Sequence, residues 1–181
     1  ATLAFSTIAN NDKVGVIFFS DKIEKFIPAK KGKTHVLHII RELLSFEPSS
    51  TGTNIAQALQ YFSNAQKRHC TAFLISDFIE PGDMYKPLMI ASNRHEINAI
   101  QIYDRREAEL PNIGLVKFHD AETHSDLWVD TAITSVRNSY AQAWRDNQNA
   151  IEQLFTRTGV DHVSIRTDED YVKALMQLFK C

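Results

Sequence analysis

Three apolar runs of strand length, KVGVIFFS, TAFLISDF and INAIQIYD, are separated by segments whose apolar residues recur at helical spacing. That alternation predicts an α/β fold built on a mainly parallel sheet with helices on both faces. Nothing in the chain divides it: there is no internal repeat, low-complexity tract or long linker, so a single domain over residues 1–181 is expected. At 181 residues and 44% hydrophobic, the chain supplies one real core and little room for a second.

The elements follow in order. ATLAFSTIANND carries Leu3, Ala4, Phe5 and Ile8 with no cap before them, and reads as the last turns of a helix that begins upstream. KVGVIFFS is a β-branched and aromatic run expected to be a buried strand. Ser20, Asp21 and Lys22 turn into IEKFIPA, a short strand that Pro28 is expected to end, as suits a sheet edge. KTHVLHIIRELLSF places Val36, Ile39, Ile40, Leu43 and Leu44 on a helix face, and TNIAQALQYFSNAQ does the same with Ile55, Ala58, Leu59, Phe62 and Ala65. TAFLISDF is the second buried strand. DMYKPLMIASNRH is expected to be a helix entered through Pro81 and Gly82, with Pro87 tolerated in its first turn.

INAIQIYD is the third strand, followed by a polar loop, DRREAELPN. GLVKFHDAETHSDLWVDT alternates around a turn at Asp120 to His124 and predicts a hairpin. The longest helix carries Val136, Tyr140, Trp144, Ile151, Leu154 and Phe155, with Gly159 placed as its C-cap. DHVSIRT gives a last strand and DEDYVKALMQLFK a closing helix. Trp128 and Trp144 are expected in the core.

Composition excludes several function classes. Twenty Lys and Arg against 22 Asp and Glu leave a formal charge of −2, which argues against a nucleic-acid partner. Lys30, Lys31 and Lys33 form a dense basic run that reads as a solvated loop. Two cysteines, Cys70 and Cys181, make no disulfide framework, so a reducing, cytoplasmic setting is expected. No run approaches the roughly 18 apolar residues of a membrane span. His35 and His38, or His119 and His124, lack the further ligands of a zinc site and read as surface or cap residues. Neither GxSxG nor GxxxxGK[ST] occurs.

In open parallel sheets, ligands bind beyond the carboxyl ends of the strands. Asp77 and Asp104 fall at such ends, and the loop Ser49-Ser50-Thr51-Gly52-Thr53-Asn54 reaches the same edge. A carboxylate and a hydroxyl there suit a hard cation such as Mg²⁺, although two oxygen ligands alone do not hold it against six waters. The simpler reading makes Thr53 or Asn54 an N-cap, with Gln57 completing an Asn54-x-x-Gln57 box, and Asp77 the cap of a turn.

GTNIAQAL, followed about two dozen residues later by LISDF, resembles two segments of the metal-ion-dependent adhesion site of von Willebrand factor A domains. More specifically, VGVIFFSD, TAFLISDF, ELPNIGLVKFHDAETHSDLWVDT and RTDEDYVKALMQLF are similar to the bacterial family called domain of unknown function 58. The resemblance covers essentially the whole chain. It implies a three-layer von Willebrand A-like fold whose first, central strand is missing, with Thr53 as a hydroxyl ligand and Asp77 as a carboxylate that holds the metal through water. The remaining ligands, an Asp-x-Ser-x-Ser motif, would lie before Ala1. A partial site at Thr53 and Asp77, empty in this fragment, is therefore expected, with no cofactor here and Mg²⁺ in the intact domain.

The resemblance also implies a non-enzymatic role in protein binding, with a chaperone-like AAA-type ATPase or its client as partner. Loss of a central strand leaves two unpaired edges; the flanking strands are expected to close on each other, or a neighbouring chain to supply a strand in an edge-paired or strand-exchanged oligomer. The alternatives are a phosphohydrolase using Asp77, which lacks a second Asp where Ile79 stands, and a metal-independent scaffold.

Overall fold

The computed structural model describes residues 2–79, 82–119 and 126–178. Helix α1 (Thr2–Ala9) leads to a hairpin of β1 (Val14–Phe19) and β2 (Ile23–Lys30), then α2 (Lys33–Ser45) and α3 (Ile55–Ala65). A βαβ passage follows: β3 (Thr71–Ser76), α4 (Tyr85–Ser92) and β4 (Glu96–Tyr103). The short helix α5 (Arg105–Ala108) precedes a second hairpin, β5 (Leu115–His119) with β6 (Asp126–Asp130). Helix α6 (Thr134–Thr158), β7 (Asp161–Arg166) and α7 (Tyr171–Leu178) complete the chain. The expected turn at Asp120–His124 lies outside the described residues, as do Pro81, Cys181 and Ala1.

The parallel sheet has the order β3-β4-β7, with in-register pairs such as Ile75↔Ile100 and Ile100↔Val163. Alternation along its strands feeds two cores. Leu74, Ile97 and Ala99 pack with Ile55 and Leu59 of α3, Leu88 and Ala91 of α4, and Ile151 and Phe155 of α6. Ile100 and Ile165 face the other way, toward Leu3 of α1 and Leu175 and Leu178 of α7. β4 is therefore covered on both faces and flanked on both edges, and its residues from Ile97 to Gln101 are all buried. Helices lie on both faces of this sheet, as the alternation predicts.

Several expectations need correction. The strands form three separate sheets, not one: the β1–β2 and β5–β6 pairs are antiparallel and stand apart from the parallel one. β1 is covered less completely than expected: Phe18 alone is buried, in a small cluster with Ile27 and Ile39 and stacked on Phe46 with centroids 4.8 Å apart, while half-buried Phe19 packs against the main core. Pro28 does not end β2, which runs on to Lys30. Register shifts between Val14 and Val16, so Pro28 falls at an irregularity where no ladder N–H is required of it. Gly15 sits beneath this irregularity: a Cβ there would lie 2.8 Å from the Ile27 carbonyl oxygen.

On α2, Val36 and Ile39 are buried, but Leu44 is 82% exposed, because only one narrow stripe of the helix meets the hairpin. Trp128 is not a core residue; it is 62% exposed on β6, cross-strand from Lys117. Trp144 is half-buried against Tyr103, with centroids 5.2 Å apart. β1 and β3 do not close on each other: among the described residues β1 pairs only with β2, and β3 only with β4. They are joined through α3, which packs on β1 and meets β3 through Leu59 and Leu74. Gly159 does cap α6, with φ at 65°.

Replacing Gly15 by Ala is expected to lower stability by about 1–3 kcal/mol, the usual cost of forcing atoms into an occupied space. Leu44→Ala should stay within ~0.5 kcal/mol, as exposed substitutions do. Urea unfolding midpoints of the two variants check this; equal effects would contradict the packing described.

Candidate functional site

Two chain connections meet the carboxyl ends of strands. The first is the 46–54 segment before α3, which is tied to the end of β1. The Ser20 hydroxyl, buried at that strand end, lies 2.8 Å from Glu24 Oε1 and 3.2 Å from Asp21 Oδ1. Glu24 in turn accepts from the Ser49 N–H at 3.1 Å and from the Ser49 hydroxyl at 2.7 Å. The Asn54 N–H donates to the Ser20 carbonyl at 2.8 Å. Asn54 is the N-cap of α3, its Oδ1 accepting from the Gln57 N–H at 2.9 Å. Thr53 is left exposed between these fixed points.

The second connection leaves β3. The Asp77 carbonyl accepts from Gln101 Nε2 at 2.9 Å, and Ser164 donates to Gln101 Oε1 at 2.8 Å, so a buried amide links the ends of β3, β4 and β7. Phe78 then adopts φ of 55°, a left-handed conformation that a bulky residue rarely takes. Its ring is 1% exposed and meets Phe155 edge-on at 5.4 Å, and Asn147 Nδ2 donates to its carbonyl at 3.1 Å. With Phe78 turned into the core, the Asp77 side chain is exposed, its Oδ1 accepting from the Ile79 N–H at 3.4 Å.

A third carboxylate, Asp104, ends β4 but is already engaged. It caps α5 through the Arg106 N–H at 2.8 Å and accepts from Thr167 at 3.2 Å. The Arg106 N–H, before all else, holds its carboxyl below the usual range. Glu107 follows on α5 with Oε2 buried and without a partner. Burial pushes its carboxyl up, and the charges of Asp77 and Asp104 add to the shift, which places the three acids within electrostatic reach.

Thr53 and Asp77 thus both face solvent at strand ends, and neither is spent in the core. No hydrogen bond joins them among the described residues. Ser20, Ser49, Glu24 and Asp104, which also carry oxygen on these connections or strand ends, are committed to internal hydrogen bonds, and Asp77 Oδ1 itself accepts from the Ser76 hydroxyl at 3.3 Å. Two oxygens do not fill the shell of Mg²⁺, so these residues by themselves do not fit a resident cation. Among the described residues no group of three or more His, Cys, Asp or Glu is arranged to hold a metal. The histidines have other work: His35 Nε2 lies 2.9 Å from the Val14 carbonyl, His38 pairs with Glu42, and His119 with Asp126. His124 lies outside the described residues. Glu24, which organises the loop, carried no local signal, since its partner Ser49 is 25 residues away.

The model of the family described as "Protein of unknown function DUF58" matches residues 1–150. An uncharacterized protein of Mycobacterium tuberculosis is 25% identical over 181 residues, covering 98% of this chain and 56% of its own length. An uncharacterized protein of Mycobacterium avium is 27% identical over 158 residues, covering 85% of this chain and 92% of its own. This chain therefore spans little more than half the length of the first of these relatives. Among solved structures, the conserved hypothetical protein BatB from Bacteroides thetaiotaomicron superposes with a TM-score of 0.57 at 16% identity, over 98% of this chain and 83% of that one. An aerotolerance-related membrane protein from Bacteroides fragilis gives 0.55 at 16%, over 99% and 86%. The likeness to both is one of fold. No helix among the described residues is long and apolar enough to cross a membrane.

The two acids flanking the rim have opposite pH signatures. The Ser49 hydroxyl first, then that of Ser20, holds Glu24 below the usual carboxylate range. Its contribution is complete above an ordinary value of about 4.3 and is lost as pH falls through the lower folded value. Glu107, raised by burial, contributes fully below about 4.3 and loses that contribution as pH rises through its folded value. Urea midpoints measured from about pH 3 to 7 should therefore show Glu24→Gln flattening the acid limb, and Glu107→Gln raising the midpoint on the neutral side. Unchanged profiles would contradict both assignments.

Proposed function

This chain belongs to the family described as Protein of unknown function DUF58, and on that footing we propose that it is a protein-interaction module. The observations that carry this reading are an exposed hydroxyl at Thr53 and an exposed carboxylate at Asp77, each on a connection held by internal hydrogen bonds. Preorganised, solvent-facing oxygens of this kind favour binding, because little side-chain or loop freedom remains to be lost on association. The fold shared with BatB is consistent with this.

In finer detail, we read the domain as von Willebrand A-like and its rim as part of a metal-ion-dependent adhesion site. Thr53 and Asp77 would supply their two oxygens to a Mg²⁺ whose other ligands come from residues outside this chain. Such a cation, held there in part by Thr53 and Asp77, would supply an open coordination position for a carboxylate. An AAA-type ATPase, or its client, in the cytoplasm is the partner class this reading favours. The unpaired edges of β1 and β3 support a companion proposal, that an extended segment pairs there and restores a continuous sheet. Exposed Ile75 on β3 lies beside that edge and would gain cover.

The test is co-purification of partners with the full-length protein, in Mg²⁺ and in chelator, for the native sequence, Thr53→Ala and Asp77→Ala. Each substitution, and chelation, is expected to reduce retention by ~10-fold or more, the loss typical of a central binding residue. Retention unchanged in all three would sink the rim as the binding surface.

A further inference from the structure

The opposite end of the parallel sheet collects cations. Lys67, Arg68 and His69 are exposed on the connection from α3 to β3, and Arg94 is exposed on the connection from α4 to β4. These connections are joined: the Glu96 N–H donates to the Cys70 carbonyl at 3.0 Å, and the rings of His69 and His95 lie 6.4 Å apart. Among the described residues no ion pair neutralises Lys67, Arg68 or Arg94. Glu96, the carboxylate next in sequence, accepts from Thr71 Oγ1 at 2.9 Å instead. The fold tolerates this accumulation because the carboxyl ends of α3 and α4 carry negative partial charge. Its field reaches inward: His95, 4% exposed, has its pKa lowered by burial first, then by His69 and Arg94.

An apolar strip adjoins the cations. α4 spends Leu88 and Ala91 on the core but leaves Met89 and Ile90 exposed, at 38% and 47%. Ile90 follows Lys86 by one helical turn, and Arg94 lies in the turn just beyond the end of α4, its N–H donating to the Ala91 carbonyl at 3.1 Å. The chain as a whole is slightly acidic, at −2, so this positive, partly apolar face is a local feature.

We propose that this face docks an acidic segment of a partner protein, one that brings carboxylates to Lys67, Arg68 and Arg94 and an apolar side chain to Met89 and Ile90. Charge complementarity selects the sign of the partner, and the apolar strip selects a peptide over a simple anion. A lipid surface fits less well: interfacial helices sink a whole apolar face about 5–10 Å into the bilayer boundary. The apolar face of α4 is already buried, and Met89 and Ile90 lie partly covered along its flank. The face lies at the end of the sheet away from Thr53 and Asp77 and does not depend on them.

The experiment is selection from a random peptide library on the purified protein, followed by anisotropy titration of the enriched peptides. Native protein is compared with R68E/R94E, with the milder R68Q/R94Q, with Ile90→Ser and with Asp77→Ala, all checked for unchanged thermal melting. Vesicles with and without anionic phosphatidylglycerol form a separate arm. Enriched peptides should combine Asp or Glu with a large apolar residue. Their affinity should fall ~10-fold or more in the folded charge variants, as truncation of paired interface charges does, and stay unchanged in Asp77→Ala. The proposal is overturned by no enrichment, by peptides without acidic bias, or by affinity that the charge variants leave intact. Vesicle binding abolished by charge reversal, with no acidic peptide selected, would assign the face to lipid and overturn it equally.

Discussion

A phenylalanine in a left-handed conformation holds the candidate rim in place. Left-handed backbone at a bulky residue costs of order 1–3 kcal/mol. Phe78 meets that cost by burying its ring against Phe155, where truncation of a comparable aromatic costs about 3–5 kcal/mol. Burial is the larger effect, so the kink persists. Everything beyond β3 follows from it: Asp77 is turned outward, its carbonyl is taken by Gln101, and the Phe78 carbonyl is taken by Asn147 of α6. A strand end that would otherwise fray is fastened to β4, β7 and the longest helix.

The rim on the other side depends on a polar knot rather than on packing. Glu24 gathers Ser20 and Ser49, and Asn54 holds the Ser20 carbonyl while capping α3. The knot and the kink act on different connections, yet each leaves oxygen-bearing side chains exposed, Thr51 and Thr53 on one and Asp77 on the other. At the far end of the same helices the charge inverts, with Lys67, Arg68 and Arg94 exposed beside Ile90. The stretch from the entry of α3 to β4 therefore presents an acidic, hydroxyl-bearing end and a basic, partly apolar end, which suits a module with two separate contacts.

How much of this was legible varies by element, for physical reasons. INAIQIYD announces β4 because a strand covered on both faces needs apolar residues at nearly every position, and the structure covers both. KVGVIFFS carries the same pattern, yet β1 is covered only in part, by α2 at Phe18 and by the main core at Phe19; a run of apolar residues records what a strand can bury, not how fully its neighbours cover it. Trp128 was misplaced for the same reason, since alternation marks a face without naming its partner. The four-residue helix α5 is too short for periodicity, although Asp104-x-x-Glu107 had the spacing of a capping box. Asn54 as cap was readable from Asn54-x-x-Gln57. Glu24 was not, because its clamp joins residues 25 positions apart. The Phe78 kink was equally hidden: nothing in Asp77-Phe78-Ile79 signals positive φ, and its cause is an aromatic ring 77 positions further along the chain.

The account rests on the end of β3 being fastened from within, and amide hydrogen exchange measures that directly. The native chain is predicted to protect the Phe78 amide, which donates to the Ser76 hydroxyl at 3.2 Å, and Asn147→Ala is predicted to speed its exchange while leaving the β1–β2 hairpin untouched. Exchange of that amide in the native chain as fast as in an unstructured peptide would mean that the kink is not held, and the outward placement of Asp77 would fall with it.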